Sequence, residues 1–137
     1  MSVLDTNIWV YSHDTRDPVK QLRAQRLIDE VRPVVLPWQV GCEFVAACRK
    51  LEPIGFTQAD AWLGLADMQA MAKTILLPVP EVWSETQAIQ ACAPLSFWDA
   101  LLIAACLRGG VKTLYTEDFS GTPPINGLSI VNPFAGP

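Results

Sequence analysis

Basic charge, histidine, paired cysteines and long apolar runs are all scarce in this chain, and each shortage removes a class of function. Ten lysines and arginines stand against 14 aspartates and glutamates, for a net charge of −4. A nucleic-acid binder usually carries a basic face, and this balance supplies none. The remainder reaches neutrality, however, if four of the acids are sequestered around metal. The one histidine, His13, lies in the polar stretch His13-Asp-Thr-Arg16 and reads as a solvated loop residue. A zinc site or a Ser-His-Asp hydrolase would rest on it alone. Cys42, Cys48, Cys92 and Cys106 form no Cys-x-x-Cys pair. They read as buried free thiols, which suits a cytoplasmic protein. The longest apolar run, Ala100 to Leu107, falls far short of the roughly 20 residues that cross a bilayer. The N-terminus shows no basic segment followed by an apolar one, so no secretory leader is expected. There is no G-x-x-x-x-G-K-[ST] phosphate loop, no internal repeat and no low-complexity tract.

What the chain does have is apolar residues, 50% of the total, with 11 prolines and eight glycines spread among them. That composition suits one domain of ordinary size, residues 1–137, with a sizeable core. Ser2 to Asp5 reads as a short strand ending on an acid, and Thr6-Asn7 turns it into a helical stretch reaching Ser12. Asp17-Pro18 opens a helix as N-cap and first helical residue. Its stripe is Val19, Leu22, Leu27, Ile28 and Val31. Val34 to Leu36 is a second strand, followed by a helix from Trp38 to Leu51 that Pro53 stops. Thr57-x-x-Asp60 and Ser96-x-x-Asp99 both resemble capping boxes with Asp in place of Glu. They open helices rich in Trp62, Leu65, Met68 and Met71, and in the run from Ala100 to Leu107. Gly109-Gly110 ends the latter. Ile75 to Leu77, Thr113 to Tyr115 and Leu128 to Val131 complete five strands, with a helix from Glu81 to Cys92. Short apolar strands alternating with helices predict an α/β domain with a mostly parallel sheet.

Four acids stand beside apolar runs: Asp5, Glu43, Asp99 and Asp118. Ligands of open parallel sheets bind beyond the carboxyl ends of the strands. Asp5 and Asp118 fall at two such ends, and Glu43 and Asp99 near helix N-termini that face the same edge. Each also has a local explanation, as a cap, an exposed helix residue or a turn residue, but four such accidents on one rim are a poor account. Two carboxylates about 5 Å apart repel by roughly 3 kcal/mol at an effective dielectric near 20. Such a cluster calls for cations. Mg2+ and Mn2+ prefer oxygen ligands and keep waters, and they suit phosphodiester hydrolysis by an activated water. Arg16, Lys20, Arg49 and Lys50 are candidate contacts to a phosphate backbone, or equally solvated helix faces. The position two residues after Asp5, acidic in aspartyl-phosphate hydrolases, is Asn7.

The motifs VLDTNIWVY, CEF, SFWDALLIAAC, LYTEDF and GLSIVNPF, in that order, resemble a PIN-domain ribonuclease of the bacterial VapC toxin type over almost the whole chain. The resemblance implies a three-layer fold with a parallel five-stranded sheet, order 3-2-1-4-5, flanked by helices. It implies a Mg2+- or Mn2+-dependent endoribonuclease acting on transfer or ribosomal RNA, with Asp5, Glu43, Asp99 and Asp118 as catalytic and metal-binding acids. Thr6, Asn7, Ser96 and Thr116 would orient those carboxylates. Thr116 and Asp118 meet the family's Thr-x-Asp pattern, which favours Asp118 over the adjacent Glu117. A homodimer and a small antitoxin that blocks the acidic site are also implied. The alternatives are an RNA-processing PIN nuclease without an antitoxin, and a non-catalytic PIN scaffold that presents the apolar surface of Trp38, Trp62, Leu65, Met68 and Met71.

Overall fold

The structure, a computed structural model, describes residues 1–119 and 122–135. Its strands are β1 (Ser2–Leu4), β2 (Val34–Pro37), β3 (Ala72–Leu76), β4 (Thr113–Tyr115) and β5 (Ser129–Val131). Its helices are α1 (Thr6–Tyr11), α2 (Pro18–Val31), α3 (Trp38–Ala47), α4 (Gln58–Met71), α5 (Glu81–Cys92) and α6 (Phe97–Arg108). Every strand pairing is parallel. Helices therefore have to carry the chain back between strands, and the alternation seen in the sequence follows. Val3, Leu4, Val34, Val35, Leu114, Ile8, Phe44 and Ile103 are all buried, so the core lies where the short strands meet α1, α3 and α6.

The expected single five-stranded sheet is met in part. Hydrogen-bonded ladders join β1-β4-β5 and, separately, β2-β3. β1 lies beside β2 without joining its ladder. Strand alternation explains the break. The odd residues of β1 face β4, as the bond from Asp5 N–H to the Tyr115 carbonyl shows (2.9 Å). Leu4 therefore faces β2, and its carbonyl accepts instead from the Trp9 indole at 3.2 Å. A strand of three residues has little else to offer that side.

Several boundaries differ from expectation for local reasons. The helix begun at Trp38 ends at Ala47 and tightens into a 3₁₀ segment, Cys48–Ile54. Pro53 removes an N–H and crowds the preceding turn, so the α-helix cannot run on to Leu51. β3 starts at Ala72 rather than Ile75, through exposed Lys73 and Thr74, which carry no apolar signal. On α2, Val19 and Leu22 point outward and only Ala24, Leu27 and Ile28 are buried. Among the described residues, no single helix is long and apolar enough to cross a membrane.

The glycine pair after α6 closes the helix as expected. Val111 N–H bonds the Cys106 carbonyl (3.0 Å) and Gly110 N–H that of Leu107 (3.1 Å), with Gly110 left-handed at φ 70. This is the Schellman arrangement. It turns the chain directly into β4 and so sets where Thr116 and Asp118 fall. Gly110→Ala is expected to cost about 1–2 kcal/mol, read as a lower urea midpoint at unchanged slope.

Candidate active site

Asp5 leaves β1 and becomes the N-cap of α1. Its Oδ1 accepts from Thr6 N–H at 2.7 Å, and its Oδ2 accepts from the Thr116 hydroxyl at 2.8 Å. Thr116, fully buried just past β4, also accepts from Asp118 N–H at 3.0 Å. One hydroxyl thus ties the carboxylate at the end of one strand to the backbone of the acid beyond the next. Thr6 uses its hydroxyl differently, donating to Glu43 Oε2 at 3.1 Å. Asn7 donates from Nδ2 to Asp118 Oδ2 at 3.3 Å. Asp5, Thr6, Asn7, Glu43, Thr116 and Asp118 therefore form one hydrogen-bonded network built from β1–α1, α3 and the β4 exit.

Asp99 joins this network by charge rather than by hydrogen bond. It lies in the first turn of α6, and Ser96 accepts from its N–H at 3.2 Å. At α4 the Thr57–Asp60 box is closed in both directions, at 2.8 and 3.1 Å. At α6 only the serine half forms, which leaves the Asp99 carboxylate outside the cap. Ser96 thus fixes the helix start and does not contact a carboxylate, contrary to the expectation for it.

The electrostatics fit mutual repulsion. Burial raises Asp5 to about 6 from its ordinary 3.8; the hydrogen bonds from Thr116 and Thr6 oppose this, and the charges of Glu43 and Asp118 add to it. Asp118 keeps a solvent-exposed side chain, yet partial burial and then the charges of Asp99 and Glu117 push it above the usual range. The Asn7 bond and the nearby Lys50 oppose that rise. Behind the site, the Cys106 thiol is driven far up by burial and by the Asp5 charge, so it stays protonated and inert.

Among the described residues, no three His, Cys, Asp or Glu side chains converge closely enough to hold a metal ion by themselves. The donor set still suits a hard divalent ion. Mg2+ is usually held by one or two carboxylates, its remaining positions filled by water and phosphate oxygens. The Asn7 Oδ1 and Gln39 Oε1 atoms are buried without a partner. Both amides are fixed by donating to acidic or carbonyl oxygens on their other end, so these two acceptors remain open to a donor such as ordered water.

Glu117, the rival to Asp118, turns away. Burial would raise it, but hydrogen bonds from Lys20 and Tyr11 outweigh this and leave it depressed. Gln39 went unnoticed in the sequence: its Nε2 donates to Glu43 Oε1 at 2.6 Å and to the Trp98 carbonyl at 3.2 Å. Its signal was the four-residue spacing from Glu43 on one helix. Of the candidate phosphate contacts, Arg16 is engaged by Asp14 (2.9 Å) and the Lys50 carbonyl (3.1 Å), and Lys20 by Glu117. Arg49 borders an apolar pocket with Trp62, and Lys50 is the cation felt by Asp118.

Two expectations about other residues are corrected. His13 is not a solvated loop residue: it is half-buried, packs 4.9 Å from Phe56 and 5.9 Å from Phe44, and is lowered by burial. Cys48 and Cys106 are buried free thiols, but Cys42 and Cys92 are exposed.

Fold and rim together define a parallel α/β domain with an acidic site at the strand ends. The sequence matches the PIN domain family model over residues 2–120, and the chain belongs to that family. Similar solved structures include a toxin–antitoxin complex from Klebsiella pneumoniae, at 16% identity and a TM-score of 0.69, covering 98% of each chain. Another is Mycobacterium tuberculosis VapC20, described as a sarcin–ricin loop cleaving toxin. Its identity is 16% and its TM-score 0.67, covering 88% of this chain and 92% of that one. Comparison with curated proteins gives no match.

The raised Asp5 carries a stability consequence. A carboxyl whose folded value exceeds its unfolded value adds no penalty below about 4, an increasing one between about 4 and 6, and the full penalty above. A rise from 3.8 to about 6 corresponds to at most about 3 kcal/mol. Without divalent metal, the stability of Asp5→Asn relative to the parent is expected to rise by about 1–3 kcal/mol between about pH 4 and pH 7.5, read from urea midpoints at the two pH values. Added Mn2+ should raise the melting temperature of the parent and leave the variant unmoved.

Proposed function

We propose that this chain is a Mg2+- or Mn2+-dependent endoribonuclease and the toxin of a toxin–antitoxin pair. The observation that carries the reading is the network that binds Asp5, Glu43 and Asp118 together at the strand ends of a PIN domain, with Asp99 in electrostatic reach. In this reading residues 1–137 form a single domain, with β2-β3 continuing the sheet past β1 in the order 3-2-1-4-5.

Asp5 and Asp99 would be the principal metal ligands, with Asp118 and Glu43 completing the site directly or through water. When bound, the ion supplies Lewis acidity, acidifying a water and offsetting charge that builds on the phosphate. The chain's own residues do the positioning. Thr116 and Thr6 N–H hold both oxygens of Asp5, so its remaining lone pairs point to a fixed place. Thr6 and Gln39 each hold one oxygen of Glu43. Asn7 aims Asp118. Lys50, near Asp118, is placed to meet a phosphate that enters beside the acids. VapC20 is described as cleaving the sarcin–ricin loop, so a ribosomal RNA loop is the first substrate to try, with transfer RNA the second.

An apolar groove of about 1150 Å³ runs from Gln39 and Glu43 past Trp38 and Trp98 to Leu77 and Trp83. Trp38, Leu77, Trp83 and Trp98 are each more than half exposed. We assign it to a partner chain, an antitoxin segment that reaches the acids through Glu43, and we retain the homodimer as part of the proposal. The same groove is the observation that favours the second reading, a non-catalytic interaction scaffold. Four free thiols suit the reducing cytoplasm for either.

Purified protein is expected to cleave RNA with Mn2+ and to stop on chelation. Asp5→Asn and Asp99→Asn should each lower the cleavage rate by 100-fold or more, on the order of 3 kcal/mol of transition-state stabilisation. Full activity in both variants would sink this mechanism, and a parent that cleaves no RNA yet still binds its partner would leave the scaffold. Leu77→Glu places a charge in the groove and should abolish co-purification with a co-expressed antitoxin, measured by size exclusion with light scattering.

A further inference from the structure

Glu117 and Asp118 are neighbours, both are acidic, and the short segment that carries them lies at the rim of the acid site. Only one of them is aimed at Asn7. The other is held by groups from two different helices. Tyr11, the last residue of α1, donates its hydroxyl to Glu117 Oε1 at 2.7 Å. Lys20, in the first turn of α2, donates to Glu117 Oε2 and also to the Tyr11 hydroxyl, the latter at 3.2 Å. The same ammonium sits 4.7 Å from the centre of the Tyr11 ring and 5.3 Å from that of Phe134, a favourable arrangement for a cation. Those two rings meet edge-on at 5.1 Å. The lysine is thereby boxed by two aromatic faces and a carboxylate, at about a third exposure. A phosphate-binding lysine needs a free, solvent-facing head, and this one is built into a contact.

We propose that Lys20 and Tyr11 are positioning residues: they clamp the Glu117 carboxylate away from the acid site and neutralise it, so that Asp118 alone presents there. This rests on the nuclease reading above. The chain from Thr116 to Phe119 is then pinned on alternate sides. Thr116 is bonded inward to Asp5, Glu117 outward to the clamp, and Asp118 inward to Asn7. Released from Lys20, Glu117 becomes a further carboxylate beside a rim already crowded with them. It would compete for the metal and loosen Asp118 together.

The test compares the parent with Lys20→Met, Lys20→Met/Glu117→Gln and Asp5→Asn. The readouts are Mn2+ affinity by electron paramagnetic resonance, and kcat and KM on a sarcin–ricin loop RNA. Lys20→Met is expected to alter Mn2+ affinity and to lower kcat about 10-fold at nearly unchanged KM. The double variant should restore both, because the competing charge is gone. A rise in KM that is largest at low salt, with a salt dependence shallower than the parent's, and that the double variant does not rescue, would show Lys20 to be a phosphate contact and overturn the inference. A lower melting temperature with unchanged kcat and Mn2+ affinity would overturn it as well, leaving a merely structural contact. A parent that binds no Mn2+ and cleaves nothing, like Asp5→Asn, would instead overturn the nuclease reading, and the inference with it.

Discussion

Asp5 sits at the end of β1 with its carboxylate almost wholly removed from water. An anion so placed has to be compensated. Two donors do so in part, Thr6 N–H and the Thr116 hydroxyl, one from the start of α1 and one from the exit of β4. Because both must reach the same carboxylate, the ends of β1 and β4 are locked together laterally, beyond what two three-residue strands could achieve alone. The backbone bond from Asp5 N–H to the Tyr115 carbonyl continues the same lock. Compensation is nevertheless incomplete, since Asp5 remains elevated. A fold selected for stability alone would place an apolar or neutral residue here. That residual cost would fall if a cation were bound beside it.

That cost also explains the manner in which the other acids are held. Glu43 has an uncharged donor on each oxygen, Thr6 and Gln39. Asp118 has an amide. Hydroxyls and amides orient carboxylates without neutralising them, so the negative potential of the rim is preserved. The strong cationic partners are spent outside it, Lys20 on Glu117, Arg16 on Asp14 and Arg108 on Glu85. Among the described residues, Lys50 is a cation felt by Asp118, whose rise it opposes.

Much of this was legible in the sequence, for reasons that differ by residue. The four acids were visible because charge beside an apolar run is costly, and their common edge followed from parallel topology. Gly109-Gly110 and the two threonine and serine caps were visible because each meets a local backbone need. Boundaries failed where the signal was not apolar, as at Lys73-Thr74 in β3. His13 failed because its partners, Phe44 and Phe56, come from distant segments. Its polar neighbours, which the sequence does show, say nothing of them. Val19 and Leu22 failed in the opposite sense, since a helical stripe records which residues share a face and not whether anything covers it. The split between the β1 and β2 ladders turns on a single carbonyl diverted to an indole, which no pattern encodes.

The apolar groove and the acid rim are not independent features. Gln39 bridges them, with one amide nitrogen on Glu43 and on the carbonyl of Trp98, the residue before Asp99. Gln39, Glu43 and Trp98 all border the groove. Anything seated against Trp98 therefore presses on the residue that precedes Asp99 and, through its carbonyl, on Gln39, which holds Glu43. A partner would need no side chain inside the acid site to disturb it: moving the start of α6 shifts Asp99 and loosens Glu43 at once. An inserted cation would add direct neutralisation to that displacement. The same contact would act in reverse, because a ligand that moved Glu43 would pull on Gln39 and through it on the Trp98 carbonyl. If binding in the groove changes affinity at the rim, binding at the rim must change affinity in the groove by the same factor, as linkage requires.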